Sequence, residues 1–449
     1  MNIVQITPGA GGMYCGNCFR DNAMVSVLRK LGHNTVMVPL YLPMTLEEED
    51  QSAGTPIFFS GINVYLGQKA PLFRHAPHWL HNLLASPKLL KWAAGKAAKT
   101  RAEDVGDLTL SMLRGEEGNQ ARELDELIAW LRTQPQPDVV CLSNALLAGM
   151  TRKIREELKA PVVCMLQGED SFLDGLPLEF RDRVWQTLTE RAAEIDHFIA
   201  PSRYFGELMS RRLSLAPERV SVVYNGINLQ GYQAPPESGD AGVPVIGYFA
   251  RLCREKGLDT LVDAYILLRK KFPDHSIKLR VGGGCGPSDQ IFVKSLQEKL
   301  VQNGLLSGVE FHPNVSRAQK LQFFKGLTVF SVPALYGEAF GLYVIEALAS
   351  GVPVVQPRHA AFPELVETTR GGLLCDPGSA ESLSAELEKL LFDKERARKL
   401  GKAGREAVFQ EFSQEAMVQR ILSVIGKVQR ADWASASRQF DLAKTSITH

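Results

Sequence analysis

Two doubly wound α/β domains are what this sequence predicts, and three observations carry the expectation. The chain has 449 residues, too many for one ordinary core. Short apolar runs alternate with amphipathic segments in two successive series, the pattern of parallel sheets covered by helices on both faces. Glycine-rich loops follow several of those runs, at the carboxyl ends where open α/β sheets bind ligands.

Composition narrows the class. Hydrophobic residues make up 45% of the chain and charged residues 22%, as in an ordinary globular protein. Lys+Arg number 51 against Asp+Glu 50, a formal net charge of +1, which argues against nucleic-acid binding as the main task. No run approaches the ~18 consecutive apolar residues of a membrane span. The opening MNIVQITPG reads as a first strand rather than a basic region followed by an apolar signal core. Seven cysteines, an odd number, fit reduced thiols, so a cytoplasmic protein is expected.

The first series starts with a strand over Asn2–Thr7, a loop PGAGGMYCGNC, a helix over Phe19–Leu31 stopped by Gly32, and a strand over Asn34–Pro39. Gly9, Gly11, Gly12 and Gly16 allow a ligand close to the backbone. Their spacing is not G-x-G-x-x-G, and no acidic ribose partner follows the second strand, which argues against a nicotinamide-dependent dehydrogenase. Residues Ile57–Leu66 read as strand, and Gln120–Gln134 as helix. From Asp138 the alternation is regular: strands over Asp138–Leu142, Pro161–Leu166, Asp196–Ala200 and Val220–Tyr224, with helices over Ala145–Leu158, Leu178–Glu194 and Arg203–Leu213. Asn225–Pro244, with its Pro, Gly and Ser, reads as a linker.

One segment stands apart. Lys69–Arg101 holds seven Lys or Arg and no Asp or Glu, with Trp79, Trp92, His75, His78 and His81 among them. Pro87–Arg101 can be written as a basic amphipathic helix, either a docking surface for an anionic acceptor or lipid headgroup, or simply a helical insertion with a solvated face. The three histidines lack metal-ligand spacing.

The second series begins at Val245. Strand Val245–Phe249 leads to a loop over Ala250–Gly257 with Arg251 and Lys256, then a helix over Leu258–Lys271. Strand Ile277–Val281 leads to Gly282-Gly283-Gly284-Cys285-Gly286 and a helix over Ser288–Gln302. Strand Val309–His312, helix Arg317–Lys325 and strand Thr328–Pro333 follow. The last strand empties into a loop with Tyr336, Gly337 and Glu338, and a helix follows that closes at Ser350-Gly351. Glu338 and Glu346 bracket the helix start, where the N–H groups near Phe340, Gly341 and Leu342 could hold a phosphate. The plainer reading of Glu346 is a solvated helix face. Ala380–Val428 is helix-rich, and residues after Gln429 are expected to be loosely ordered.

With those motifs in place, the chain resembles the large family of retaining GT-B-fold glycosyltransferases (glycosyltransferase family 4, glycosyl transferases group 1). The matching pieces are Gly9–Gly12, LGH at Leu31–His33, APS at Ala200–Ser202, VVYNGIN at Val222–Asn228, GYFARLCREKG at Gly247–Gly257, GGG at Gly282–Gly284 and GEAFGLYVIEALASGVPVV at Gly337–Val355. The last carries the family's Glu-x7-Glu signature as Glu338 and Glu346. The resemblance implies two facing Rossmann-like domains with a cleft between them. Their expected bounds are 1–238 for acceptor binding, with a basic helical insertion at about 69–120; 239–411 for the nucleotide-sugar; and 412–449 for a C-terminal helix packing back toward the first domain, plus a polar tail.

The resemblance also implies roles. Arg251 and Lys256 would neutralise the departing diphosphate, aided by N–H groups at Gly341 and Leu342. Glu346 would take the ribose hydroxyls, and Glu338 the hydroxyls of the transferred sugar. Gly11, Gly12, Gly283, Val315 and Phe340 complete the expected donor site. Retention in this family is ascribed to a front-face reaction without a Ser-His-Asp arrangement. No D-x-D motif sits in a credible loop, so no metal is expected, and no cofactor, the nucleotide-sugar being a substrate. A hexose and a UDP donor are the family's default. The acceptor could be a carbohydrate, a lipid-linked or a small molecule, which would place the protein in the cytoplasm or at the inner face of the membrane.

The chain departs from the family in one place. Many relatives put a His beside the transferred sugar after the middle strand of the first domain, where this chain has Gln167-Gly168-Glu169-Asp170. Gln167 can hydrogen-bond but not carry charge, and Glu169 and Asp170 would either serve the acceptor or cap the next helix. Asn17, with Arg20 and Asp21, would lie near substrate. Cys15-Gly16-Asn17-Cys18 allows a redox switch or half a zinc site, but no second C-x-x-C exists. Glu364 reads either as a donor contact or as a cap. A competing class is an inactive two-lobed nucleotide-sugar-binding or scaffold protein, against which the retained Glu338, Glu346, Arg251 and Lys256 argue. If the basic segment is a docking surface, the protein should co-sediment with anionic phosphatidylglycerol vesicles and not with neutral ones; equal recovery would remove the idea.

Overall fold

The computed structural model describes residues 1–9, 16–44, 48–60, 64, 102–233 and 242–445, giving only the backbone course for 102–104 and 431–445. The basic segment 69–101, Gly11, Gly12 and Cys15 lie outside the described residues. Two compact units emerge: residues 1–201, 205–223 and 417–449, and residues 202–204 with 224–416.

In the first unit, β1 (Asn2–Thr7), β2 (Asn34–Pro39), β3 (Val139–Leu142), β4 (Val162–Met165), β5 (His197–Ala200) and β6 (Val220–Val222) form one sheet. Its order is β2-β1-β3-β4-β5-β6 and every pair is parallel. β3 and β4 are buried at every residue, which is why they read as continuous apolar runs rather than alternating ones. The helix Gln414–Thr445 belongs here from Met417 onward. Its Met417, Val418, Ile421, Val424, Ile425 and Val428 recur at helical spacing and pack on Ile3, Val139, Cys141, Val163, Met165 and Ile199.

The second unit holds β7 (Val245–Phe249), β8 (Lys278–Gly283), β9 (Val309–Pro313), β10 (Val329–Phe330), β11 (Val354–Pro357) and β12 (Gly372–Cys375). These are ordered β12-β11-β10-β7-β8-β9, again all parallel. The chain winds outward from β7 through β8 to β9, then returns to β7's other side as β10. The strand order therefore reverses between β7 and β10, and in open sheets of this kind the crevice beyond their carboxyl ends is where ligands bind.

Several local expectations change. Residues 57–60 form no strand: Phe59 is buried and its N–H bonds Leu40 O at 3.0 Å, beside the sheet rather than in it. Within the expected insertion, Ala102–Arg114 is a helix whose Gly106 lies against Phe180. Phe362–Thr369 is a helix, and Glu364 stands in its first turn. The final helix runs from Gln414 to Thr445.

The change between units falls at 223/224 rather than 238/239. Tyr224 stacks on Phe412 at 5.3 Å, Ile227 N bonds Phe412 O at 2.9 Å, and Tyr232 reaches Glu346 at 3.3 Å, all inside the second core. Phe412, expected to open the returning segment, is fully buried in that core between Tyr224 and Phe340. Replacing Phe412 by Ala should lower the urea midpoint of the second unit by the equivalent of roughly 3–5 kcal/mol, the cost of emptying a buried aromatic site; a midpoint within error of the parent would contradict this packing.

Candidate active site

The two loops that leave the reversal point are tied to each other. The loop after β7 ends in a single turn, Arg254–Lys256, and then Gly257. Gly257 has φ +70°, and a Cβ there would lie 1.9 Å from Pro333 O in the loop after β10. Only glycine permits both the left-handed backbone and that approach. Leu335 N donates to Glu255 O at 2.9 Å, a second tie between the same loops. On the other flank, Gly283 (φ +121°) ends β8 so close to Ala250 that a Cβ would sit 2.0 Å from Ala250 O. Leu252 N bonds Gly284 O at 2.8 Å, laying the Arg251 loop over β8.

This geometry brings Lys256 to Glu338. Lys256 Nζ is 2.5 Å from Glu338 Oε2, with the two side chains 18% and 14% exposed. The same oxygen accepts from the Tyr343 hydroxyl at 2.8 Å and the Tyr336 hydroxyl at 3.0 Å. Lys256 Nζ also stands over both rings, 4.9 Å from Tyr336 and 5.2 Å from Tyr343. Burial alone would raise the Glu338 carboxyl, but Lys256 and then the two phenols outweigh it and hold its pKa below the usual range. Burial alone would lower Lys256, and Glu338 outweighs it in turn, so its pKa is raised. The pair's contribution to stability is therefore full above the ordinary carboxylate range and below the ordinary lysine range. It is lost in acid as pH falls through the folded Glu338 value, and in alkali as pH rises through the folded Lys256 value.

Glu346 stands on the helix Leu342–Ala349, the other positions of which are nearly all buried. It is not on a solvated face. Its Oε1 accepts from Lys320 Nζ at 2.9 Å and from the Tyr232 hydroxyl at 3.3 Å. Gly341 (φ +93°) starts this helix with no side-chain cap, so the first N–H groups, at Leu342 and Tyr343, have no intrahelical acceptor. Phe340 contributes its backbone only, because its ring is buried against Tyr224 and Phe412.

Arg251 is not part of the Lys256–Glu338 cluster. Its guanidinium lies along Asp289, with NH2 to Oδ1 at 2.9 Å and Nε to Oδ2 at 3.2 Å, and it is 61% exposed while Asp289 is buried. The hydrogen bonds and charge of Asp289 raise its pKa, keeping it cationic. The Gly282–Gly286 loop is held by a reciprocal pair of 2.9 Å bonds between Asn314 and the Cys285 backbone. Val315, next in the chain, is half-buried on the second core.

The residues expected on the acceptor side lie in the first unit, and two of them turn out differently. Glu169 is buried: Oε1 accepts from Ala145 N at 2.8 Å, and Oε2 from Gln167 N at 2.8 Å and Gly168 N at 3.0 Å. It braces the loop after β4, with both oxygens taken by backbone donors. Burial raises its pKa against those three donors. The short helix Glu169–Asp174 starts at Gly168 without a side-chain cap, and Asp170, in its first turn, has Oδ1 buried without a hydrogen bond among the described residues. Asn17 is half-buried near the start of the helix Gly16–Lys30. Beside it Arg20 and Asp21 form a buried pair at 2.5 Å, with Arg20 also bonded to Ser143 O at 2.8 Å. Cys18 is buried with Val25, Met37 and Met44. Glu364 accepts from the backbone N–H groups of Arg203 at 2.9 Å and Tyr204 at 3.2 Å, which is the capping role.

Sequence reasoning missed Asp289, Lys320, Tyr232 and Tyr343. Each acts through a charged residue that was singled out, and each lies on a different element, so only the fold shows the pairing. Tyr343 alone left a trace, as a polar-tipped residue five positions after Glu338.

This fold and site define the GT-B class of glycosyltransferase folds. Solved structures similar to the chain include sucrose-phosphate synthase of Thermosynechococcus elongatus, with TM-score 0.70, 18% identity, and coverage of 96% of this chain and 99% of that one. HepE of Anabaena in complex with UDP and glucose gives TM-score 0.67 at 17% identity, covering 95% and 100%. At such identities the likeness is one of fold. The family model of glycosyl transferases group 1 matches residues 235–407, and that of glycosyltransferase family 4 matches 101–230. The chain belongs to this glycosyltransferase family. Among curated relatives, it is 32% identical over 232 residues to alpha-maltose-1-phosphate synthase of Mycolicibacterium smegmatis, covering 48% of this chain and 58% of that protein. It is 28% identical over 224 residues to D-inositol 3-phosphate glycosyltransferase of Segniliparus rotundus, covering 47% and 48%. The chain thus spans about half the length of the curated relatives it matches.

Gly257→Ala should cost at least about 1–3 kcal/mol in the second unit, because it combines left-handed strain with a backbone collision. A urea midpoint equal to the parent's would show that the two loops are not held as described.

Proposed function

We propose that the protein transfers a sugar from a nucleotide-sugar, with a UDP-hexose as first choice, to an acceptor hydroxyl with retention at the anomeric carbon. The observation that carries this reading is the Glu338–Lys256 pair at the strand-order reversal, with Glu346 eight positions further along the same stretch and Arg251 on the facing loop. Arg251 and Lys256 offset the charge that grows on the diphosphate as the sugar C1–O bond breaks. The helix-start N–H groups at Leu342 and Tyr343 add donors to the same oxygens. Glu346 takes the ribose hydroxyls through Oε2, the oxygen that Lys320 and Tyr232 leave unoccupied. Glu338 takes hydroxyls of the sugar and, as a carboxylate, stabilises the oxocarbenium that develops there.

The new C1–O bond forms on the face from which the phosphate leaves. The departing phosphate oxygen receives the acceptor's proton, so no side-chain base is required, and leaving-group charge is assigned to protein cations rather than to a divalent ion. The family and the HepE complex with UDP support a uridine nucleotide as the first donor to try. Several relatives are named for phosphorylated sugars or inositol phosphate, so phosphorylated polyols and sugars head the acceptor screen.

A thermal-shift panel of nucleoside diphosphate sugars should raise the melting temperature with one nucleotide class. With that donor, Glu338→Gln should lower transfer by at least ~100-fold, the scale of losing a transition-state contact, while calorimetry still reads nucleotide binding. Unchanged turnover would remove Glu338 from its role, and the absence of both binding and turnover for every sugar would sink the reading.

A further inference from the structure

All three donors to Glu338 reach one oxygen. Lys256, Tyr343 and Tyr336 converge on Oε2 at 2.5, 2.8 and 3.0 Å, while Oε1 takes no hydrogen bond from the described residues. A carboxylate anchored through one oxygen has a fixed direction, and its other oxygen is presented outward. Lys256 is the strongest of the anchors, but it is also the one with a competing partner. Its ammonium sits where the rings of Tyr336 and Tyr343 and the carboxylate meet, and an arriving diphosphate would attract the same charge. A largely buried carboxylate that lost its only partner would be costly. Glu338 would not lose its only partner, because the two hydroxyls remain.

The phenols suit that task. Tyr343 is 8% exposed, on the first turn of the helix Leu342–Ala349, with its ring 6.4 Å from both Phe330 and Phe362. Burial, and then the Glu338 charge, raise the pKa of both Tyr343 and Tyr336, so each stays protonated and remains a donor. The groups facing Glu338 are Lys256 from the loop after β7, Tyr336 from its own loop and Tyr343 from the helix, with Tyr248 of β7 behind the phenols.

We propose that Tyr343 and Tyr336 are positioning residues that hold the Glu338 carboxylate by Oε2 while Lys256 turns to the diphosphate of a bound donor, keeping Oε1 aimed at the transferred sugar. The inference rests on the glycosyltransferase reading for the identity of the ligand, but not for the clasp itself.

Tyr343→Phe tests it with the ring packing retained and only the donor removed. In ligand-free protein labelled with carboxyl-13C glutamate, the Glu338 resonance is the one lost in Glu338→Gln. Its titration midpoint should move up by about one pH unit in Tyr343→Phe, and in the same direction in Tyr336→Phe, as expected when a carboxylate loses a hydrogen-bond donor. An unchanged midpoint in both variants overturns the clasp. With UDP-glucose as probe and UDP release as readout, Tyr343→Phe should lower kcat about tenfold with KM within twofold, and raise the acid limb of the pH profile. Parent-like kcat and acid limb overturn the positioning role even if the midpoint moves. If the parent releases nucleotide from no sugar of the panel, the transferase reading fails, and the carboxyl titration still decides whether the phenols hold Glu338.

Discussion

The ion pair between Lys256 and Glu338 is the contact on which the second unit's site depends. Its two members come from loops after β7 and β10, strands that neighbour each other only because the sheet reverses its order there. Two partly buried charges are expensive to take from water, and they are tolerated because each is the other's counter-ion and the carboxylate has two further donors. The close pass of Gly257 against Pro333 sets the separation. Backbone, pair and phenols thus form one unit, and moving any of them misplaces the rest.

The same design recurs at each proposed donor contact. Glu346 is held through one oxygen by Lys320 and Tyr232, and Arg251 is held along one edge by buried Asp289. In every case a charged group keeps part of its hydrogen-bonding capacity open while the chain occupies the other part. Groups fixed in this way cost little reorganisation when charge develops near them, which is the physical basis of electrostatic stabilisation in enzymes.

Much of this was legible in the chain itself. The alternation of buried runs and amphipathic segments is a strong periodic signal, and both parallel sheets appear where it places them. Glu338, Arg251 and Lys256 could be picked out because they follow strand ends in glycine-containing loops, and Glu346 because it stands eight positions beyond Glu338 in an otherwise apolar helix. The weak points were the short elements. β12 carries only four residues, three of them half-buried, and the run at 57–60 is apolar because Phe59 packs beside the sheet, not because it joins it. The former gives too little pattern to read, and the latter gives the pattern of a strand without its hydrogen bonds.

Carboxylates show the limit most clearly. Glu338, Glu346, Glu169 and Glu364 all stand near strand ends or in helices that follow them, and each could be read from the sequence as a ligand contact. Glu169 spends its oxygens on three backbone N–H groups and Glu364 on two, whereas Glu338 and Glu346 keep one oxygen each unoccupied among the described residues. The sequence by itself determined the doubled α/β architecture, the family and the position of the signature pair, because periodicity and spacing are local properties of the chain. Only the tertiary structure decided which carboxylate oxygens the chain itself occupies and which residues hold them, because those partners lie on other elements, up to 161 positions away in the case of Arg203 and Glu364.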